Sequence, residues 1–159
     1  MLPGQTSLEL EILAREPRAV ALATGHRLAS RESLTFTDLR DEDFVTNPLV
    51  ENQGPPARWL AEQRRHGLPG RVAAEAASIQ EILTLVATGR GVCLVPESVA
   101  NHYPRADVCY VIVTDADAAV VSLAWNRENE RPALEAFCAA ARKAKENETQ
   151  RQARAASIP

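Results

Sequence analysis

Ser78 has the most definite chemical context of any polar side chain in this 159-residue sequence. It precedes Ile79, Ile82, Leu83 and Val86, whose spacing is that of one helix face, and Glu81 stands three residues on. Ser-x-x-Glu is a capping box, in which the hydroxyl accepts a first-turn amide proton and the carboxylate reaches back to the helix start. Capping explains both residues by itself. The same helix start also offers further amide protons and a partial positive charge, so an anionic group could bind beside Ser78 and Ile79. No other grouping is as well formed. His26, His66 and His102 are isolated from one another and from any cysteine or carboxylate at metal-ligand spacing, so no metal site is expected. No serine or cysteine lies in a glycine-flanked elbow, and Gly89-Arg90-Gly91 lacks the Lys-Ser/Thr ending of a phosphate loop. Catalytic residues and cofactors are therefore not expected.

The elements that position Ser78 form a strand-helix-strand unit. Residues 71–76 and Val92-Cys93-Leu94-Val95 read as short strands, and Gly89 supplies the left-handed residue that ends the helix between them. A helical connection of this length implies parallel strands and a right-handed crossover, with the helix start at the carboxyl edge of the first strand. Ligands bind at that edge in open α/β sheets. Residues 8–14 read as a short strand or as the end of a truncated element, and other strands are predicted at residues 18–23, 44–46, 108–113 and 120–125. A short helix capped at Thr37 is expected between Ser33 and Phe44, with Leu39 inward. The stretch NPLVENQGPP, residues 47–56, reads as a loop, followed by a helix from Pro56 that buries Trp59 and Leu60 and ends near Gly67. A short helix from Glu97 to about Tyr103 and a turn at Asp115 to Ala118 come next. Pro132 opens a last helix with Leu134, Phe137 and Cys138 on one face, and past Lys145 the apolar pattern is lost, so that residues 146–159 are expected to be a disordered tail.

Composition narrows the class. Forty-five per cent apolar residues fit a soluble globular chain of one domain, and a net charge of −3 with interspersed basic residues argues against direct nucleic-acid contact. The first residues lack the basic start and apolar run of a signal peptide, and no stretch approaches the roughly 20 apolar residues that span a bilayer. A cytoplasmic protein without membrane contact is expected. Three widely spaced cysteines, Cys93, Cys109 and Cys138, read as buried thiols.

The stretch SIQEILTLVATGRGVCLVPESVA, from Ser78 to Ala100, closely resembles the effector-binding (substrate-binding) domain of LysR-type transcriptional regulators, where a serine-capped helix runs through a Gly-x-Gly turn into a strand ending in Leu-x-Pro. Upstream, Glu16-Pro17-Arg18 and Gly25-His26-Arg27-Leu28-Ala29 are similar to the family's strand and its His-Pro-Leu-Ala turn, with Arg27 in place of the proline. Downstream, Val120 to Trp125, then Arg131-Pro132 and the helix through Phe137, resemble its last strand and helix. The likeness runs from about Glu16 to Arg142. It implies an α/β fold of periplasmic-binding-protein-like type II, a lobe with a mixed, mostly parallel sheet flanked by helices. Residues 1–23 would be a partial lobe-one strand and hinge, 24–121 the effector-binding lobe two, and 122–145 the returning strand and helix of lobe one. Ala23 and Ser122 would be the hinge crossings. No counterpart of the family's DNA-binding part or of the first part of lobe one is seen.

The resemblance also implies an effector pocket that takes in Thr46, Asn47 and Pro48, then Ser78 and Ile79, then Pro96 and Ser98. The expected function is sensing of a small anionic metabolite, a carboxylate, that controls transcription through a separate winged helix-turn-helix. Apolar faces in residues 8–22 and 121–142, covered by other elements in the family, predict a homodimer or higher oligomer. The rival readings are a cytoplasmic solute-binding domain, a hetero-dimerising module without a DNA-binding role, and an enzyme on a related scaffold, for which no activated nucleophile or paired acid and base is seen.

Overall fold

The computed structural model describes residues 8–47, 71–126 and 131–155, with backbone alone for 146–155. The chain divides into two compact units, one of residues 1–15 with 120–159 and the other Glu16–Ala119.

The larger unit is built on a mixed sheet. Strand β2 (Arg18–Ala23) is antiparallel to both β6 (Cys93–Pro96) and β7 (Val108–Val113), and the two-residue β3 (Ser33–Leu34) runs parallel to β7. Strands β4 (Asp43–Thr46) and β5 (Arg71–Glu75) pair in parallel. A parallel bridge between Phe44 and Val92, closed by Val45 N–H to Val92 O and Val92 N–H to Asp43 O at 2.8 Å each, joins this pair to the start of β6. Among the described residues of this unit, β3 to β7 therefore all point the same way and β2 alone runs against them, giving the mostly parallel sheet that the resemblance implies. The two strands of the strand-helix-strand unit are parallel but not neighbours, because β4 lies between them.

Both faces of this sheet are buried, which is why β2 reads as a continuous apolar run. Its side chains alternate, Val20 and Leu22 entering a core with Leu28, Leu34, Phe36, Leu39, Phe44, Val92, Val111 and Val113, while Ala19 and Ala21 face Val45 and helix α1 (Ile79–Ala87). From α1, Ile82, Leu83 and Val86 are buried and Ile79 is partly so. Each such side chain contributes roughly 1.5–3 kcal/mol on burial. The helix ends in a full Schellman motif: Gly89, at φ 72, donates its N–H to Val86 O, and Arg90 N–H reaches Leu85 O. Gly91 has a different task. A Cβ there would lie 2.7 Å from Asp43 O, so only glycine lets the turn pass against β4. Helix α2 (Glu97–His102) follows β6 directly.

Between β3 and β4 the expected helix capped at Thr37 is not formed. Successive turns bond Leu39 N–H to Phe36 O and Glu42 N–H to Leu39 O, because side-chain acceptors hold the backbone first. Asp38 accepts from the N–H and hydroxyl of Thr35, both at 2.8 Å, and Asp115 accepts from Phe36 N–H at 2.9 Å. Leu39 is nevertheless buried, as its apolar character requires. In the preceding turn Glu42 receives both Arg27 and His26, so the arginine that replaces proline is held by an ion pair.

In the smaller unit β1 (Leu8–Glu16, whose last residue begins the larger unit) pairs with β8 (Ala119–Asn126, whose first residue ends it). Helix α3 (Pro132–Ala155) carries Arg142, which donates to Glu11 at 2.8 Å and holds its carboxyl below the usual carboxylate range, and Lys145, which donates to Ile12 O at 2.8 Å. Cys138 of α3 is buried, but Phe137 is 58% exposed, contrary to the expected inward face. The helix continues to Ala155, into the stretch past Lys145, residues 146–159, where a disordered tail is expected. Glu, Gln, Arg and Ala dominate residues 146–155, and all propagate a helix well once it is nucleated. The loop and helix expected at residues 48–70 lie outside the described residues.

Candidate functional site at the carboxyl edge of the sheet

Parallel strands β4, β5 and β6 all end at one edge, which places Thr46, the residues after Glu75, and Pro96 along it. Thr46 is opposite Glu75, its carbonyl accepts Ala76 N–H at 2.9 Å, and Asn47 Nδ2 donates to Ala77 O at 3.3 Å. These bonds tie the end of β4 to the residues that lead into α1. Ser78 is extended (φ −130°, ψ 154°) and its Oγ accepts Glu81 N–H at 3.3 Å. Glu81 reaches back to Ala77 N–H at 3.1 Å, one residue beyond the usual capping-box partner, the N–H of Ser78 itself. The first-turn amides of Ile79 and Gln80 have no carbonyl one turn before them within the helix, and the positive end of its dipole lies there.

Thr46 is the chemically unusual member. It is 2% exposed, and among the described residues its Oγ1 has no hydrogen-bond partner. A buried hydroxyl left unpaired costs roughly 1–3 kcal/mol. Pro96 and Ser98 stand at the end of β6 and the start of α2, but the Ser98 amide is taken by the Glu16 carboxylate at 2.8 Å. Of the expected pocket residues, Thr46, Asn47, Ser78 and Ile79 thus form one cluster, Pro96 and Ser98 occupy the same edge farther along the sheet, and Pro48 lies outside the described residues. The Glu16 contact is not legible in the sequence, although an acidic residue directly before Pro17 is a recognisable feature.

The chain enters the larger unit at Arg15–Glu16 and leaves it at Ala119–Val120, not at Ala23 and Ser122. Ala23 ends β2 at the opposite edge, where it lines a pocket of about 140 Å3 with His26, Asp41, Glu42, Asp43 and Arg90. Ser122 lies within β8, and strand pairing there carries on past the crossing. A concavity of about 560 Å3 flanks α1 but is lined by Glu75 and Glu81 with Ala76, Ala77, Gln80, Thr84 and Leu85. Two carboxylates disfavour an anion inside it, and both adjoin the edge cluster, Glu75 as the β-partner of Thr46 and Glu81 as the residue whose N–H the Ser78 Oγ accepts. Among the described residues no group of three or more His, Cys, Asp or Glu is placed to hold a metal, the three cysteines are free, and no helix is long and apolar enough to cross a membrane.

The family model described as LysR substrate binding domain matches residues 2–146. The chain is 30% identical over 138 residues to the HTH-type transcriptional regulator AlsR of Bacillus subtilis, covering 83% of this chain and 44% of that protein. It is 33% identical over 112 residues to the HTH-type transcriptional regulator CatR of Pseudomonas putida, covering 70% of this chain and 38% of that protein. The chain thus spans less than half the length of these curated relatives. Among solved structures, the BenM effector binding domain with its effector benzoate superposes with a TM-score of 0.76 at 22% identity, covering 94% of this chain and 68% of that one. The effector binding domain of QuiR in complex with shikimate gives 0.72 at 18% identity, covering 92% and 69%. At these identities the likeness establishes a common fold.

Proposed function

Because the chain belongs to the LysR substrate binding domain family, we propose that it is the effector-sensing portion of a transcriptional regulator, binding a small carboxylate at the carboxyl edge of the sheet and acting on DNA through a separate winged helix-turn-helix. The family is one of binding domains and the curated relatives are transcriptional regulators rather than enzymes, so binding, not turnover, is the activity. A cytoplasmic location follows from that role.

The unpartnered Thr46 hydroxyl carries this reading. It is buried at the end of β4, and the backbone that follows is tied to the start of α1, where amide donors and the helix dipole favour a negative charge. Ser78 and Ile79 supply that helix start, Asn47 and Pro48 follow Thr46 in the chain, and Pro96 and Ser98 extend the edge. Benzoate and shikimate, the ligands of the two solved relatives, are both carboxylates of suitable size to serve as probes. A ligand shifts a conformational equilibrium only by its differential affinity for the states involved, so effector control requires two conformations that bind it differently.

The test is a thermal-shift screen of this chain against benzoate, shikimate and related carboxylates, with Ser78→Ala beside the parent. Selective binding to the folded state at a hundredfold excess over Kd adds roughly 2.7 kcal/mol, a readable rise in Tm. A rise in the parent that the variant loses supports the site. A rise equal in both places the ligand elsewhere, and a flat screen on a folded baseline removes this chain's claim to bind a carboxylate unaided.

A second reading, association with another copy of the chain, is favoured by the apolar side chains that the smaller unit leaves open: Leu8, Leu10, Ile12, Val121 and Phe137 are each at least 40% exposed.

A further inference from the structure

The first three residues of the larger unit are bonded in two directions. The Ser98 N–H donates to the Glu16 carboxylate at 2.8 Å and the Glu97 N–H to Pro17 O at 2.9 Å, so residues 16 and 17 occupy the start of α2. One residue on, Arg18 Nε donates to Asp117 O at 3.0 Å, just before the chain leaves the unit after Ala119. Arg18 is also the β-partner of Pro96, so these bonds converge on the same end of β2. The exit segment is anchored in turn, since Thr114 N–H donates to Leu34 O at 2.8 Å and Asp115 accepts from Phe36 N–H at 2.9 Å.

From this geometry we infer that Glu16, Pro17 and Arg18 form a clamp that couples the start of α2 to both points where the chain enters and leaves the unit. Its physical basis is the pairing of one charged acceptor with one charged donor, two residues apart on the same short segment. Glu16 holds α2 and Arg18 holds the exit turn, and Pro17, with no N–H of its own and a constrained φ, stands between them. Neither bond alone links the two sites. Together they mean that a displacement of α2 is passed to residues 114–117 through a segment with little backbone freedom. The clamp therefore takes a disturbance arising near Pro96 and Ser98 to the crossings, and it needs no ligand to be observed. It is a positioning device. The Ser98 amide is not a free anion site, because Glu16 already fills it.

Amide hydrogen exchange followed by NMR tests the coupling directly in the ligand-free chain. Glu16→Ala removes a charge-assisted acceptor, and the Ser98 amide should exchange about tenfold faster or more. A simple helix cap would stop there. The clamp further requires the amides of Thr114 and Ala116 to exchange faster by about threefold or more, and linkage requires Arg18→Ala to loosen Ser98 in return. Should Glu16→Ala fail to fold, Glu16→Gln keeps an acceptor without the charge, and the two segments must loosen together by a smaller factor. Faster exchange at Ser98 with residues 114–117 unchanged, or the reverse in Arg18→Ala, overturns the inference.

Discussion

At the scale of single residues, Thr46 is where stability and function pull apart. A threonine suits the end of a β-strand, but this one is buried with its hydroxyl unpaired, in a sheet whose other buried side chains at that level are apolar. Valine has nearly the same shape without the hydroxyl. Thr46→Val is therefore expected to stabilise the ligand-free chain by roughly 1 kcal/mol, the lower end of the cost of an orphaned hydroxyl. For a chain of this length that raises Tm by about 2–4 °C. If the hydroxyl serves a bound carboxylate, the same variant loses the ligand-induced shift seen in the parent. Differential scanning calorimetry with and without the carboxylate found in the screen reads both effects. A destabilised Thr46→Val would show that the hydroxyl is satisfied in solution and has no bearing on the site.

The Gly89-Arg90-Gly91 turn shows how two identical residues can do different work within one element. Gly89 sits in the left-handed region at φ 72 with open space around its Cα, so Gly89→Ala meets only the backbone preference and should cost about 1 kcal/mol. Gly91 lies at φ 156 and is pressed against the Asp43 carbonyl, where a methyl group would come within 2.7 Å. The parallel bridge of Phe44 to Val92 depends on that approach. Gly91→Ala is accordingly expected to destabilise by about 3 kcal/mol, at the upper end of ordinary substitutions, and to loosen β4 against β6. Urea unfolding of the two variants at unchanged m-value gives the comparison. Equal costs at both positions would show that β4 gives way easily and that the close approach is not required.

On the scale of the whole molecule, the two units differ in how well their apolar surface is covered. The larger unit buries both sheet faces. In the smaller, β1 sets Leu8, Leu10 and Ile12 outward while Glu11, on the alternate face, pairs with Arg142 of α3. Apolar surface of this kind on a soluble domain is covered by another surface when one is within reach. Sedimentation velocity at tens of micromolar should therefore find a dimer or larger species, and Leu8→Lys with Leu10→Lys should shift it to monomer while the larger unit stays folded. A parent that sediments as a clean monomer would remove the association reading and leave the carboxylate site untouched, since the two rest on different units.

Much of this protein was determined by its sequence alone. Continuous apolar runs placed β2 and β7, the Ser78 cap and the Gly89 stop bounded α1, and the motif from Ser78 to Ala100 identified the family that the match over residues 2–146 then established. Such features are local, because a cap, a left-handed glycine and an apolar period act within a few residues of one another. Tertiary structure decided the rest. Asp115 and Asp38 turned an apparent helix near Thr37 into a chain of turns, and strand order set β4 between β5 and β6. The crossings moved to Arg15–Glu16 and Ala119–Val120 because the contacts that define a unit come from strands distant in sequence. Glu16 on Ser98 and the solitary Thr46 hydroxyl are decided in the same way, for a hydrogen bond made or missed across the fold depends on which strands become neighbours, and no local pattern of residues encodes that.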